Sequence, residues 1–330
     1  MTNASTGDTA LISIQDDGSF SGTIVAASGN EFNVVVRDAA GNESSTQNIG
    51  TPPNALQIQI LSPKPGAHVV QNRVTVRGTV IGPVNTGVTV NGIVATKDPE
   101  GGFVANDVAL TPGANTLIAV ARDTEDHIFS IEIPVTSDGE NPLLTLSVSD
   151  AVGIAPFRAR FEYQDNRDET IAGLTVDFDG DGTTDFEGRG DDLLEYVYSE
   201  PGTYTATIRV TDSTGGIEEA STFITVLDPV SLKNLHQSIW NGMNAALTTG
   251  DIETALQYLT GSARKRYQRV FEQLLPHISQ IISSYSPLQQ LSISSSIGEY
   301  GVNRQINGET KVFLIYFLLD TDGVFRLESM

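Results

Sequence analysis

The chain has 330 residues and a formal net charge of −22, a balance that disfavours nucleic acid and anionic membrane surfaces as partners. Its 39% hydrophobic residues exclude a disordered chain, and its 31 glycines, 14 prolines and 7% aromatic residues are typical of many short strands joined by turns. It contains no cysteine, so no disulfide framework is available.

An internal repeat organises the first 136 residues. The segments 30–38 (NEFNVVVRD) and 115–123 (NTLIAVARD) correspond, at a separation typical of one β-sandwich module. The second copy, residues 55–136, alternates apolar and polar positions throughout, whereas the first, residues 1–52, lacks the counterpart of the opening strands. In the stretch VNGIVATKDPEGGF and the ending RDAAGNESS, the copies resemble bacterial immunoglobulin-like modules of surface proteins. We therefore expect a partial module followed by a complete one.

A third module is predicted over residues 143–227. Its segments VGIAPFRARFEY, VDFDGDG and EPGTYTATIRVTDSTGG occur in the order that resembles a polycystic-kidney-disease (PKD) repeat, which implies another immunoglobulin-like sandwich. Alternation along its strands predicts that Phe161, Phe178 and Tyr204 are core residues.

The loop DFDGDGTTD, residues 177–185, concentrates carboxylates at the spacing that surrounds a hard cation with oxygens. It matches the first five ligand positions of a helix-loop-helix calcium loop, and the predicted ligands are Asp177, Asp179, Asp181, the backbone carbonyl of Thr183, and Asp185. The expected glutamate at the twelfth position is replaced by Gly188, which leaves Glu187, Asp191 or Asp192 to complete the site. The alternative is a solvated acidic hairpin, because Asp-Gly pairs form turns without a metal.

The pattern changes to helices at residue 228, which begins a predicted α+β domain of residues 228–330. Asp228 can cap a helix with Pro229 at its first position, and further helices are predicted after Asp251 and Ser262. We expect Pro276 to kink or split the last of these helices. Three strands follow, within LQQLSISSSIGEYGVN, ETKVFLIYFLLD and VFRLES, joined by turns at Asn307-Gly308 and Asp322-Gly323.

This layout resembles the cone-shaped fold of the ketosteroid-isomerase and nuclear-transport-factor superfamily, which includes enzymes. Isomerases of that superfamily place a carboxylate and a tyrosine inside the cone, but the predicted strands offer almost no inward-facing acidic residue. His236 and His277 have no acidic partner at helical spacing, and no Ser-His-Asp order or phosphate-binding loop is present. We therefore expect no catalytic site, although a small-ligand pocket in the cone remains an alternative.

The strand KVFLIYFLL, residues 311–319, is apolar on both faces. The helices can cover only one face, so the other is predicted to be an interface, formed by Val312, Leu314, Tyr316 and Leu318. The interface would serve self-association or contact with a protein partner or a neighbouring module.

The sequence thus predicts a multidomain, mainly β protein of tandem immunoglobulin-like sandwiches followed by an α+β domain. We interpret it as a non-enzymatic, calcium-stabilised bacterial protein of the cell surface or exterior, whose export signal lies outside this chain. Its role would be as a stalk, in adhesion or in assembly. The alternative is a carbohydrate-binding accessory region of a larger secreted hydrolase, with a polysaccharide as partner. No stretch approaches the roughly 18 apolar residues of a transmembrane helix, so we expect no membrane insertion.

Overall fold

A computed structural model of the chain describes residues 2–3, 9–10, 32–37, 43–44, 47–49, 56–167, 170–189 and 192–330. The chain divides into two compact units, residues 1–57 with 81–83 and residues 58–80 with 84–330. In the first unit, three strands form a sheet in the order β1-β2-β3, namely β1 (Thr2–Asn3), β2 (Phe32–Val34) and β3 (Gln47–Ile49). Most of the predicted partial module lies outside the described residues.

The middle module is a sandwich of two sheets. Its strands are β4 (Gln57–Ser62), β5 (Ala67–Gln71), β6 (Arg73–Ile81), β7 (Gly87–Val90), β8 (Ile93–Val94), β9 (Thr96–Lys97), β10 (Gly102–Ala109), β11 (Gly113–Arg122) and β12 (Ile128–Glu140). The sheet orders are β4-β6-β10-β9 and β5-β12-β11-β7-β8. Alternate residues point inward, as Leu117, Ala119 and Ala121 do on β11, and together they form one buried core.

The third module repeats this topology. Its strands are β13 (Leu144–Val148), β14 (Val152–Ile154), β15 (Phe157–Asp165), β16 (Ile171–Asp177), β17 (Phe186–Gly188), β18 (Leu194–Tyr198), β19 (Gly202–Asp212) and β20 (Ile217–Leu227). The sheets have the orders β13-β15-β18 and β14-β20-β19-β16-β17. In both modules the first two strands lie in different sheets, and the second pairs in parallel with the module's last strand. The two modules are therefore immunoglobulin-like sandwiches of one kind.

The terminal domain consists of helices followed by one antiparallel sheet. Its helices are α1 (Pro229–Thr249), α2 (Ile252–Gln257), α3 (Gly261–Leu274) and α4 (Ile278–Ser283), with a 3₁₀ turn over Leu275–His277. The strands β21 (Gln289–Ile293), β22 (Ile297–Ile306), β23 (Glu309–Leu319) and β24 (Phe325–Ser329) pair in chain order. Among the described residues, no helix is long and apolar enough to cross a membrane.

The helix boundaries mostly follow the predicted signals. The carboxylate of Asp228 accepts hydrogen bonds from the N–H groups of Val230 and Ser231, and Asp251 caps α2. Pro276 separates α3 from α4, as expected. The predicted cap at Ser262 is wrong, because Thr260 accepts the hydrogen bond from the N–H of Ala263. The first predicted strand is in fact two strands, β21 and β22, joined by a turn of serines.

The predicted two-sided character of β23 is visible in the packing of the terminal domain. Ile315 and Phe317 are buried in the core beneath the helices. On the opposite face, Val312 is 62% exposed and Leu314 is 47% exposed, while Tyr316 and Leu318 are half-buried. One end of this second face is therefore covered and the other end is open to solvent.

The middle module and the third module share polar contacts. The side-chain amide of Asn106 donates to the carbonyl oxygen of Phe223 at 3.0 Å, and the hydroxyls of Thr96 and Thr225 lie 2.7 Å apart. The guanidinium of Arg77 lies 4.9 Å from the centre of the Phe223 ring. Ile154 and Leu227, at the end of the third module, pack against the core of the terminal domain.

The covered end of the second face of β23 lies against the middle module, and a buried guanidinium occupies this contact. Arg326, which pairs with Leu318 across β23 and β24, has a side chain only 3% exposed. Its nitrogens lie 2.8 Å from Asp322, 3.2 Å from Asp320 and 3.7 Å from Asp126, which belongs to the turn between β11 and β12.

Further contacts extend this junction. Asp126 also pairs with Arg122 and with Arg264 of α3, both at 3.1 Å. The side-chain amide of Asn85 donates to the carbonyl oxygen of Phe325 at 2.9 Å, and its oxygen accepts from the Phe325 N–H at 3.0 Å. Asn85 thus continues the hydrogen bonding of β24 into the middle module.

We expect Arg326→Met to destabilise the chain by about 2–3 kcal/mol, because it leaves the half-buried Asp320 without an arginine partner and removes one of the two arginines beside Asp322. The matched control is Arg209→Met, which removes a pair with Glu219 whose side chains are 64% and 50% exposed. This control should have a much smaller effect, because solvent screens an exposed ion pair. Chemical denaturation of both variants provides the measurement, and equal effects would contradict a special role for Arg326.

A candidate metal centre in the third module

The acidic loop of residues 177–185 closes a hairpin between β16 and β17. Val176 pairs with Phe186, and the N–H of Asp185 donates to the carbonyl oxygen of Val176 at 2.9 Å. The chain reverses through two glycines with positive φ, 79° at Gly180 and 87° at Gly182, where a side chain would be strained. This closure brings the two ends of the loop face to face.

Three of the predicted carboxylates converge in this hairpin. Asp177, Asp179 and Asp185 each offer one oxygen, and these oxygens all lie within 4.8 Å of one another. Asp177 and Asp179 are half-buried and Asp185 is exposed. No lysine or arginine of the described residues forms an ion pair with any of the three. Arg209 attracts Asp177 from beyond ion-pair distance, so the mutual repulsion of the carboxylates is only partly offset.

Hydrogen bonds hold the three carboxylates in place. The oxygens of Asp177 accept from the N–H groups of Gly180 at 2.7 Å and Gly182 at 2.9 Å. Asp185 accepts from the N–H of Phe178 at 2.7 Å. The carboxylates are therefore ordered by the backbone of the loop itself, which reduces the entropy lost when they bind a cation.

The structure does not bring Asp181 into this group. Its carboxylate accepts from both the N–H and the hydroxyl of Thr183, at 2.7 and 2.6 Å, and these hydrogen bonds lower the pKa of Asp181. Asp192 accepts from the N–H of Arg189, so it caps its own turn. The carbonyl oxygen of Thr183 stays a prediction, and Asp191 lies outside the described residues.

The sequence reasoning overlooked Tyr196, which supports the site from β18. Its hydroxyl donates to Asp179 at 3.2 Å, and burial together with the negative charge of Asp179 raises the pKa of Tyr196 to about 12. The phenol therefore stays protonated at physiological pH and can only donate to the carboxylate in this pair. The alternation of LEYVY in β18 was the available signal, since Tyr196 and Tyr198 share one face of the strand.

Aromatic contacts anchor the loop to the sandwich core. The rings of Phe161 and Phe178, of Phe178 and Tyr196, and of Tyr196 and Tyr198 lie 4.9–5.0 Å apart between centres. The hydroxyl of Tyr198 donates to the carbonyl oxygen of Phe178 at 2.8 Å. Phe161 and Phe178 are buried as predicted, and Tyr204 is half-buried against the same core. The aromatic residues beneath the acidic loop are thus part of the packed core of the module.

The interior of the terminal domain is a packed core around a histidine. His236 of α1 is fully buried, its Nδ1 lies 3.0 Å from the hydroxyl of Tyr300, and its ring stacks on Phe317 at 4.7 Å. Burial lowers the pKa of His236 to about 4, so the ring is neutral at physiological pH. The aromatic rings that surround His236 hold it as a core residue.

Comparisons with known proteins agree with the topology of the third module. Residues 141–226 match the sequence profile of the PKD domain. PKD and immunoglobulin-like modules are typical of extracellular adhesion or carbohydrate-binding proteins and are generally non-catalytic. A search of curated proteins found no match.

Several solved structures show weak similarity. The fibronectin(III)-like modules of Clostridium thermocellum CbhA are 17% identical, over 51% of this chain and 94% of that chain, with a TM-score of 0.21. The PKD1 domain of the Vibrio cholerae metalloprotease PrtV is 19% identical, over 26% of this chain and 98% of that chain, with a TM-score of 0.21. A tetra-tandem repeat from the extending region of a large adhesion protein is 20% identical, over 68% and 65% of the two chains, with a TM-score of 0.20.

The buried histidine makes the stability of the terminal domain depend on pH. In the unfolded chain His236 takes up a proton near its ordinary pKa of 6.5, whereas in the folded chain it does so only near 4. The unfolded state therefore binds more protons between these values, and up to about 3 kcal/mol of stability is lost as the pH falls from 6.5 to 4.

We expect His236→Gln to lose less stability than the wild type across this pH window, because glutamine takes up no proton. The exposed His277 supplies the control, and His277→Gln should keep the slope of the wild type. Urea denaturation at several pH values measures the slope. If His236→Gln and the wild type have the same slope, His236 is not the buried neutral group described here.

Proposed function

We propose that this chain is a non-enzymatic, extracellular or surface-exposed part of a bacterial protein, stabilised by calcium in its third module and engaged in assembly or adhesion through its terminal domain. The observation that carries the proposal is the convergence of Asp177, Asp179 and Asp185 in the hairpin of a PKD domain. Three carboxylates ordered by backbone hydrogen bonds have no ion-pair partner among the described residues, so an external cation would stabilise the fold.

Calcium fits this donor set better than the other common cations. The ligands are carboxylate oxygens, which favour hard cations over zinc or copper. Magnesium demands a near-ideal octahedron and gives up its water reluctantly, whereas calcium accepts irregular sets of six to eight oxygens at a partly exposed loop. Extracellular modules bind calcium with dissociation constants of about 10⁻⁴–10⁻³ M, which suits a loop with few protein ligands.

The terminal domain is the proposed contact unit. Its layout of helices on a four-stranded sheet resembles the ketosteroid-isomerase and nuclear-transport-factor cone, and its open sheet face carries Val312 and Leu314, with Leu291 60% exposed nearby. From residue 228 onward the chain has 9 acidic and 8 basic residues, whereas the first 227 have 32 and 11. The terminal domain is therefore the part of the chain least repelled by a second acidic copy.

Calcium should raise the melting temperature of the chain, and Asp177→Asn combined with Asp179→Asn should abolish that gain. At a hundredfold excess of calcium over its dissociation constant, the expected stabilisation is about 2.7 kcal/mol. In EDTA the double variant should unfold at a temperature similar to that of the wild type, because the relief of repulsion is offset by the loss of one of the two hydrogen bonds that Asp177 accepts. Thermal unfolding followed by circular dichroism provides the measurement.

The matched control is Asp150→Asn, which removes an exposed carboxylate elsewhere in the same module and should keep the calcium response. Asp181→Ala decides the ligand number: a lost response adds Asp181 to the ligand set, and a retained one limits the carboxylates to three. If the wild type has the same melting curve in EDTA and in millimolar calcium, the proposal that calcium stabilises the third module is contradicted.

We expect Val312→Lys with Leu314→Lys to convert a self-associating chain into a monomer, since two charges would be buried in an apolar contact. Light scattering after size-exclusion chromatography measures the mass. Ile217→Lys, at a 65% exposed position of the third module, should leave the mass unchanged. A wild-type mass of one chain at high concentration would argue against self-association and leave a different protein as the partner.

A further inference from the structure

The terminal domain contains a groove that neither the calcium site nor the open sheet face accounts for. It lies between α1 and the residues around the end of α4, and it has a volume of about 420 Å³. Small-molecule sites typically measure about 300–1,000 Å³, so the groove can hold a small ligand or one unit of a longer one.

One wall of the groove is a single face of α1. Gln237, Trp240, Asn241 and Asn244 follow one another at helical spacings of three and four residues, which places their side chains side by side. Tyr285 packs directly against Trp240, with the two ring centres 5.9 Å apart. The groove therefore combines three side-chain amides with two aromatic rings, and the residues that line it include no charged side chain.

The side-chain amide of Asn244, on the α1 wall of the groove, has no hydrogen-bond partner among the described residues. The residue is only 9% exposed. This amide is not among the fully buried polar atoms that lack a partner, so it reaches solvent through the groove and is free to bond to a ligand. By contrast, the Gln237 amide donates to Asn241 at 2.9 Å, which orients both side chains along the groove.

The lining restricts the chemistry of a ligand. A phosphorylated or carboxylated ligand would find no cationic side chain among the residues that line the groove. A fully apolar ligand would leave the amide of Asn244 unsatisfied. A ligand that suits the groove is therefore neutral. It carries hydroxyl groups that bond to the amides and apolar C–H groups that pack against the aromatic rings.

We infer that this groove binds a neutral saccharide, with Asn244 and Asn241 as its hydrogen-bonding residues. The half-buried ring of Tyr285 is its main apolar contact, beside the exposed edge of Trp240, a residue that is 6% exposed. Burial raises the pKa of Tyr285, so its phenol is protonated and can also donate. This inference goes beyond the proposed function, and it depends neither on the metal nor on self-association. It can therefore be tested in EDTA with a monomeric chain.

The test uses a reporter that the chain already has, because Trp240 is its only tryptophan. We expect titration with cellotetraose, xylotetraose or maltotetraose to change the fluorescence of Trp240. Asn244→Leu should weaken the binding by roughly tenfold or more, since it removes one buried hydrogen-bonding group. Thermal unfolding of the same variant is measured in parallel, so that a loss of binding is distinguished from a loss of folding.

Asn234→Ala, which removes an exposed amide of α1 outside the groove, is the matched control and should bind as the wild type does. Trigalacturonate tests the exclusion of anions and should not bind. The inference is overturned if none of the three neutral oligosaccharides changes the fluorescence at millimolar concentration, or if Asn244→Leu binds them unchanged. A response to trialanine alone would assign the groove to a peptide and would also overturn it.

Discussion

The arrangement of the terminal domain depends on the ion pairs of one buried guanidinium, that of Arg326. It lies within 4 Å of carboxylates from its own hairpin, Asp320 and Asp322, and from Asp126 of the middle module. A guanidinium can serve several carboxylates at once because its donors point in fixed, diverging directions. The terminal domain therefore contacts the middle module through Arg326, as well as the end of the third module that precedes it in the chain.

The negative charges of two acidic turns of similar sequence are offset in different ways. The turn DTDG, residues 320–323, lies beside Arg326, which supplies positive charge from the neighbouring strand. The loop DFDGDG, residues 177–182, has no ion-pairing lysine or arginine among the described residues, although backbone N–H groups order its carboxylates. This difference explains why we propose a metal ion for the second turn and not for the first.

The terminal domain combines a closed interior with open surfaces. Aromatic rings fill the space around His236. The open features lie elsewhere, at the sheet face of Val312 and Leu314 and at the groove beside Trp240. Both are suited to contact with other molecules, and this agrees with the binding roles for which PKD and immunoglobulin-like modules are known.

Local patterns in the sequence determined the sandwich repeats, the caps at Asp228 and Asp251, the split at Pro276 and the acidic hairpin, because each depends on residues close together in the chain. Only the tertiary structure decided which carboxylates converge, since Asp181 is drawn away by Thr183 while Tyr196 approaches from another strand. It also decided that the middle module covers β24. That contact joins Asp126 to Arg326, 200 residues apart in the chain, and no local periodicity encodes such a distant pair.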